Sequence, residues 1–361
     1  MFSDPRIYAD KGKVPIWNGP VRVVTPPAAV PQMSPADRRI FEFLVPYPIL
    51  MVDRAEWPPL HVDVDGTPVE IYKPVGAVGA FEPIGRLGNE SPEAYCTIIR
   101  ATMPVTASLS PEPLWKLLEV ILAWIRVRSR QYWLLHGSTG FGATFRGSKI
   151  EHGRMDNFVG CGPTIVVRPF SREMWADIGK DITTRATPPL SESILCDALL
   201  SVVAGDEIKA LLELGVACEI ELTNLLAAAA KSTPSTPDKA AFIADDGDWD
   251  RFKVKLRNWP QRLGMDDVAT YSPAEVPTDW VTLVLELYKL RNGVAHGGRK
   301  NVAGTSVQTY VFAANALFRY SAAQKGRLSL SHYGVGPEAD PADQVVLYRD
   351  NYLFSNATLS P

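Results

Sequence analysis

The chain has 361 residues, of which 46% are hydrophobic and 21% are charged, and its formal net charge at pH 7 is −3. This length favours two domains or one large one, and the apolar content is sufficient for a substantial core, which excludes a disordered chain. The small negative charge argues against a protein that binds polyanions over its whole surface, but it is compatible with a local basic site.

The chain lacks the sequence features of secretion and of membrane insertion. Residues 1–14 carry charges and contain no apolar segment, so we expect no signal peptide. The most apolar stretch, residues 114–127, is too short to cross a bilayer. The four cysteines are scattered, at Cys96, Cys161, Cys196 and Cys218. This scatter predicts neither a zinc site nor a disulfide framework, and we expect a cytoplasmic protein with no metal, no other cofactor and no membrane partner.

The first half of the chain, residues 1–185, has the pattern of a β-rich domain with one long helix. Residues 61–64 and 69–72 alternate in polarity on either side of Asp65-Gly66, which predicts a hairpin. Further strands are predicted at residues 21–24, 49–52, 95–107, 143–149 and 164–168, and helices at residues 114–130 and 171–182. We expect this domain to bind a partner or to sense a signal.

The second half changes to helical periodicity after a proline-containing break at residues 183–190. Helices are predicted at residues 191–203, 206–231, 279–295 and 302–325, and also at 249–259, where residues 251–257 alternate like a strand but lie in a helical neighbourhood. Residues 186–330 are therefore expected to form an antiparallel helical bundle, and residues 331–361 a C-terminal tail with a strand-like run at 345–348. The predicted fold class is α+β, with a β-rich N-terminal domain followed by a C-terminal helical bundle.

The end of the helix predicted at residues 279–295 carries Arg291, Asn292 and His296 within six residues. An arginine can hold a phosphate in a fork of donors, and a histidine can transfer a proton near neutral pH. Asn292 lies four residues before His296, on the same helical face, where its amide can orient the imidazole or donate to the phosphate. Gly297 follows where a helix C-cap belongs.

This Arg-Asn-x-x-x-His arrangement resembles the signature of the HEPN family (higher eukaryote and prokaryote nucleotide-binding domains), many of whose members are metal-independent ribonucleases. The resemblance covers residues 191–325. It implies that Arg291, Asn292 and His296 are catalytic and that the bundle forms a homodimer with a composite site. An acidic residue on an earlier helix often supports the site in the family, and Glu219 and Glu221 are both candidates.

The spacing of the signature is not specific by itself, because each of the five histidines in the chain follows an arginine at a permitted distance. His296 differs in its preceding Asn292, its long helix and its following glycine. The chain departs from the family at Gly293, where active members usually have a polar residue, and glycine there costs about 1 kcal/mol of helix stability relative to alanine. In an alternative interpretation, Arg291 and His296 only complement the helix dipole.

A set of basic residues near the motif is a candidate RNA-binding surface, together with Trp249, Phe252 and Trp259, which could stack on bases. The basic residues are Arg251, Lys253, Lys255, Arg257, Arg262, Arg299 and Lys300. The alternative is a solvated helix face backed by aromatic core residues, since mixed charge is the usual surface pattern.

The resemblance predicts an endoribonuclease that uses attack by the 2′-hydroxyl and leaves a 2′,3′-cyclic phosphate. The β-rich first half ahead of the bundle is similar in layout to ApeA-type abortive-infection proteins of bacteria. That layout implies a toxin or anti-phage effector whose N-terminal domain binds a phage or host protein as its trigger. The alternatives are a catalytically inactive HEPN-like module that binds nucleic acid or protein, and a structural or dimerisation protein in which the motif is incidental.

Overall fold

The computed structural model describes part of the chain, and those residues divide into two compact units. The described residues are 21–22, 38–45, 49, 51, 56–80, 93–107, 109, 111–132, 134, 165–167, 170–183, 187–232, 252–271, 279–297, 306–328 and 345–347. Among them, the first unit contains the residues up to 134 and residues 170–187, and the second contains residues 165–167 and 188–347.

The first unit contains an antiparallel sheet of six described strands. The strands are β1 (Val21–Arg22), β2 (Arg38–Val45), β3 (Leu60–Val64), β4 (Thr67–Ile71), β5 (Val75–Ala80) and β6 (Glu93–Pro104). Their order is β1-β3-β4-β6-β2, and β5 also pairs with β6.

The hairpin predicted around Asp65-Gly66 is confirmed. Strands β3 and β4 pair with Val62 opposite Val69, and Asp65 and Gly66 have φ of 51° and 81°. Two positive φ angles are those of a type I′ turn, whose twist matches that of the flanking strands. The backbone N–H of Gly66 donates to Asp63 Oδ1 at 2.8 Å, which further stabilises the turn.

Strands β2 and β5 are absent from the sequence-based prediction. Strand β5 consists largely of glycine and alanine, which have weak strand propensity, whereas β2 contains Ile40, Phe41, Phe43 and Val45, residues that favour strands. Both pair along β6, which has 12 residues and is bonded on one edge by β2 and on the other by β4 and β5. For β5, pairing with a long central strand therefore outweighs weak local preference.

Two helices of the first unit, α1 (Pro111–Ser129) and α2 (Arg172–Thr183), pack against this sheet. The ring of Trp115 on α1 lies 6.0 Å from that of Phe43, centroid to centroid. On α2, Trp175 Nε1 donates to the carbonyl of Pro58 at 2.9 Å. Both helices were predicted from the sequence, and both are confirmed.

Five helices of the second unit are described: α3 (Leu190–Ala204), α4 (Glu207–Ser232), α5 (Phe252–Arg262), α6 (Trp280–Gly297) and α7 (Val307–Arg327). Helix α3 ends at Gly205, which has a φ of 76°, and the side chain of Asp206 caps α4 by accepting from the backbone N–H of Lys209. This tight connection makes α3 and α4 antiparallel neighbours. Helix α4 also contacts α5, α6 and α7, so it is the central helix of the unit.

The second unit also includes a two-stranded antiparallel sheet of β7 (Ile165–Val167) and β8 (Val345–Leu347). The sequence-based division assigned residues 165–167 to the first domain and residues 345–348 to a separate tail. The structure instead pairs them inside the second unit, because strand pairing connects segments that are far apart in sequence. The predicted strand at residues 143–149 lies outside the described residues.

The chain is thus mixed α+β, with a sheet in its first unit and mostly helices in its second. None of the described helices combines the length and the apolar character needed to cross a membrane.

Candidate active site at the end of helix α6

The Arg-Asn-x-x-x-His motif lies wholly within helix α6. Asp279 begins the helix by accepting from the backbone N–H of Thr282 at 3.2 Å, and the buried Trp280, Val284 and Leu287 recur at helical spacing. The helix continues to Gly297, so it is not interrupted at Gly293.

Arg291 is half-buried and its guanidinium is held by two neighbours. Its Nη2 lies 3.0 Å from Glu219 Oε2 on helix α4, and its Nη1 donates to Asn292 Oδ1 at 2.7 Å. The guanidinium carbon lies 5.9 Å from the ring centroid of Tyr288, within the range of a cation–π contact. These contacts fix the orientation of the group, and the side chain keeps 23% of its surface exposed.

A glycine on helix α4 leaves the space that the side chain of Arg291 occupies. A Cβ atom placed on Gly215 would lie 2.8 Å from Arg291 Cβ and 2.9 Å from its Cγ, which is closer than such atoms approach. Only a residue without a side chain fits between the helices at this point. Gly215 was not predicted as a site residue, although an isolated glycine inside a long helical pattern is a signal of close packing.

Glu219 and Glu221, the two candidate supporting acids, have different environments. Glu219 contacts Arg291, whereas Glu221 is buried among Ser191, Ser321 and Lys325. Two positions along a helix correspond to a rotation of about 200°, so the two carboxylates face opposite sides of α4.

Burial by itself would raise the pKa of Glu221, but the opposite contributions outweigh it. The ammonium of Lys325, 2.6 Å away, and the hydrogen bonds from Lys325, Ser191 and Ser321 hold the pKa of this carboxyl below its ordinary value. Glu221 is therefore an ionised carboxylate inside the helical unit, and its contacts are with α3 and α7.

His296 is exposed, and it does not contact Arg291 within the described part of the chain. Five positions along an α-helix correspond to a rotation of about 140°, so the two side chains leave α6 in different directions. The two groups can reach one phosphate in two ways, through a helix loosened near a glycine or by an approach to the substrate from different sides. Because α6 stays helical through Gly293, only the second possibility fits there.

The candidate basic surface is only partly assembled among the described residues. Lys253 and Arg257 are exposed and lie one turn apart on α5, whereas Lys255 is buried. The expectation that Lys255 belongs to this surface is therefore wrong, because alternate residues of a helix do not share a face. Arg262 is exposed over the ring of Trp259, while Arg251, Arg299 and Lys300 lie outside the described residues.

The aromatic residues near these charges belong largely to the core. Phe252 and Trp259 are buried, and Trp249 lies outside the described residues. Phe252 stacks on Tyr288, with ring centroids 4.5 Å apart and an interplanar angle of 14°. Tyr288, which the sequence analysis did not select, is thus the aromatic residue in contact with both α5 and Arg291.

Comparison of the chain with protein-family models, with curated proteins and with solved structures found no match in any of the three.

Proposed function

We propose that this chain is a metal-independent endoribonuclease of the HEPN type, with its active site at the end of α6. The observation that carries the proposal is the guanidinium of Arg291, oriented by Glu219 and Asn292 on a helix that also bears the exposed His296. Within the described residues, these contacts leave the Nε proton and one proton on each terminal nitrogen of Arg291 for a phosphate.

The reaction uses the nucleophile that RNA itself supplies. The 2′-oxygen forms a bond to phosphorus and the bond from phosphorus to the 5′-oxygen breaks, which leaves a 2′,3′-cyclic phosphate and a 5′-hydroxyl. One imidazole accepts the proton of the 2′-hydroxyl, and a second imidazole donates a proton to the departing 5′-oxygen. The guanidinium of Arg291 offsets the charge that develops on the non-bridging oxygens.

A homodimer provides the two imidazoles, and it also allows an arginine and a histidine that point in different directions on one helix to meet at one phosphate. Arg291 and His296 leave one α6 helix about 140° apart, so a single copy does not aim both groups at one phosphate. Two copies of α6 facing each other bring Arg291 of one protomer opposite His296 of the other. The dimer interface of the proposal therefore includes the exposed end of α6, where Ala295 and His296 are both exposed.

Cleavage of cellular RNA makes such a protein toxic, which fits a cytoplasmic bacterial toxin or an anti-phage, abortive-infection effector. In this proposal the first unit receives the trigger, a phage or host protein. RNA cleavage would begin when this trigger protein binds to the first unit.

The direct test is incubation of the purified full chain with RNA in EDTA. We expect fragments with 2′,3′-cyclic phosphate ends from the wild type and none from His296→Ala, which should also relieve toxicity on expression. His61→Ala is the matched control, because His61 is another exposed histidine with an arginine, Arg54, at a permitted distance. Equal cleavage by wild type and His296→Ala would exclude His296 as a catalytic group.

The second candidate function is a nucleic-acid-binding module without catalytic activity. It is favoured by one observation, that Arg291 and His296 make no contact within the described part of one chain. In that case the wild type binds RNA without cutting it, and His296→Ala keeps the same affinity.

A further inference from the structure

A groove of about 390 Å³ lies between helices α5 and α6 of the second unit. This volume is within the range of pockets that bind small molecules, roughly 300–1,000 Å³. Helix α5 contributes Lys253 and Arg257 to the lining, and α6 contributes Lys289. All three cations are exposed to solvent.

Among the described residues, the cations that line this groove outnumber its carboxylates. Besides the three cations, the described lining includes one carboxylate, that of Glu286. Within the described residues, none of these four side chains makes an ion pair or a hydrogen bond. A concave surface with an excess of unpaired cations attracts anions, and phosphates above all.

Tyr288 connects the groove to the proposed active site. Its ring is part of the lining and stacks on Phe252, and the guanidinium of Arg291 lies 5.9 Å from the same ring. The cations of the groove and the guanidinium that would hold the scissile phosphate therefore border one aromatic side chain. Lys289 and His296 are seven positions, about two turns, apart on α6 and therefore lie on the same face of the helix. An RNA strand that lies in the groove can thus continue towards His296.

We propose that this groove holds the sugar-phosphate chain of single-stranded RNA next to the scissile phosphate at His296. The identity of the ligand rests on the proposed function, whereas the anion-binding character rests on the groove itself. Along α6 the lining runs from Thr282 to Lys289, a rise of about 10 Å. Domains that recognise double-stranded RNA contact about 16 base pairs, a much longer surface, so the groove fits a single strand.

The test measures binding of the full chain to a labelled oligonucleotide of about twelve 2′-O-methyl nucleotides, which lack the nucleophile and cannot be cut. The groove variant combines Lys253→Gln, Arg257→Gln and Lys289→Gln. We expect it to bind about tenfold or more weakly at about 50 mM salt. The slope of log affinity against log salt should be less steep by about 2, because each lost phosphate contact on a single strand accounts for about 0.7.

A second triple variant controls for net charge. Lys209→Gln, Lys231→Gln and Arg327→Gln remove three exposed cations of the same unit that do not line the groove. This variant should bind within about twofold of the wild type if the groove is the site. Equal losses in both triple variants, or no binding by the wild type, would overturn the groove proposal.

Cleavage assays separate this proposal from the ribonuclease proposal. Groove-dependent binding by a wild type that cuts no RNA supports the groove and overturns the nuclease. Cleavage by the wild type, with binding that the groove variant leaves unchanged, supports the nuclease and overturns the groove.

Glu286→Gln gives a test that a folding defect cannot imitate, because the expected result is a gain. Removing this carboxylate of the described lining should tighten binding about two- to fivefold at low salt. Unchanged or weaker binding by a folded Glu286→Gln protein contradicts the proposal.

Discussion

At the scale of single residues, the guanidinium of Arg291 depends on a carboxylate from another helix. Glu219 reaches it at 3.0 Å, and Asn292 accepts from its other terminal nitrogen. Both partners of the ion pair are partly exposed, with 23% and 32% of their side-chain surfaces accessible, so the pair adds little to folding stability. Its importance lies in the direction that it gives to the guanidinium.

We predict that Glu219→Gln lowers RNA cleavage by on the order of tenfold to a hundredfold, because a displaced guanidinium holds the phosphate less accurately. The free energy of unfolding should change by less than about 1 kcal/mol. Glu207→Gln, which alters an exposed glutamate at the start of the same helix, is the control and should leave cleavage unchanged. An equal loss in both variants would contradict a positioning role for Glu219.

At the scale of elements, the close approach of α4 and α6 positions the motif. Gly215 provides the space that the stem of Arg291 occupies, and Cβ and Cγ of that arginine lie where an alanine methyl would be. Glycine inside a helix costs about 1 kcal/mol relative to alanine. The close packing at Gly215 therefore favours glycine, whereas helix propensity favours alanine at the same position.

We predict that Gly215→Ala destabilises the second unit by about 1–3 kcal/mol, the usual result of overpacking, and also reduces cleavage by displacing Arg291. Gly326→Ala is the matched control on α7, since a Cβ there meets no atom within 4 Å. That change should leave stability the same or raise it by up to about 1 kcal/mol. Urea unfolding of the two variants measures the difference, and stabilisation by Gly215→Ala would contradict the packing argument.

At the scale of the whole second unit, a buried carboxylate joins three helices. Glu221 on α4 accepts hydrogen bonds from Ser191 on α3 at 2.6 Å and from Ser321 on α7, and it pairs with Lys325 on α7. The charge of Lys325 and these hydrogen bonds lower the pKa of Glu221 below its ordinary value despite burial. Its ionised form therefore stabilises the fold.

The sign of the pH dependence follows from the lowered pKa. An unfolded glutamate has a pKa of about 4.3, so this contribution is complete above that pH and is lost as the pH falls through the lower folded value. We predict that amide protection in α4, measured by hydrogen exchange, decreases below about pH 4 in the wild type. The double variant Glu221→Gln, Lys325→Met should lack this component, and a pH profile equal to that of the wild type would contradict the prediction.

Glu221→Gln alone should lower the free energy of unfolding more than the double variant does. It leaves the Lys325 ammonium, 16% exposed, without its carboxylate, and we expect a loss of about 3 kcal/mol at pH 7. Removing both charges should recover part of that loss.

The sequence by itself determined the features that depend on near neighbours. All seven described helices were located from the sequence, although residues 251–257 also alternate like a strand, and Asp65-Gly66 specified its hairpin, because periodicity and turn chemistry act within a few residues. The position of the motif at the end of α6 also follows from the sequence, since Asp279 and the apolar spacing define that helix.

Only the tertiary structure decided the features that depend on distant partners. Strands β2 and β5 exist because β6 offers both of its edges, and β7 pairs with β8 across most of the second unit's sequence. The choice of Glu219 over Glu221 as the partner of Arg291, and the burial of Lys255, depend on how the helices rotate against one another. Local sequence gives a helix its faces, but packing between helices selects which face is buried and which charges meet.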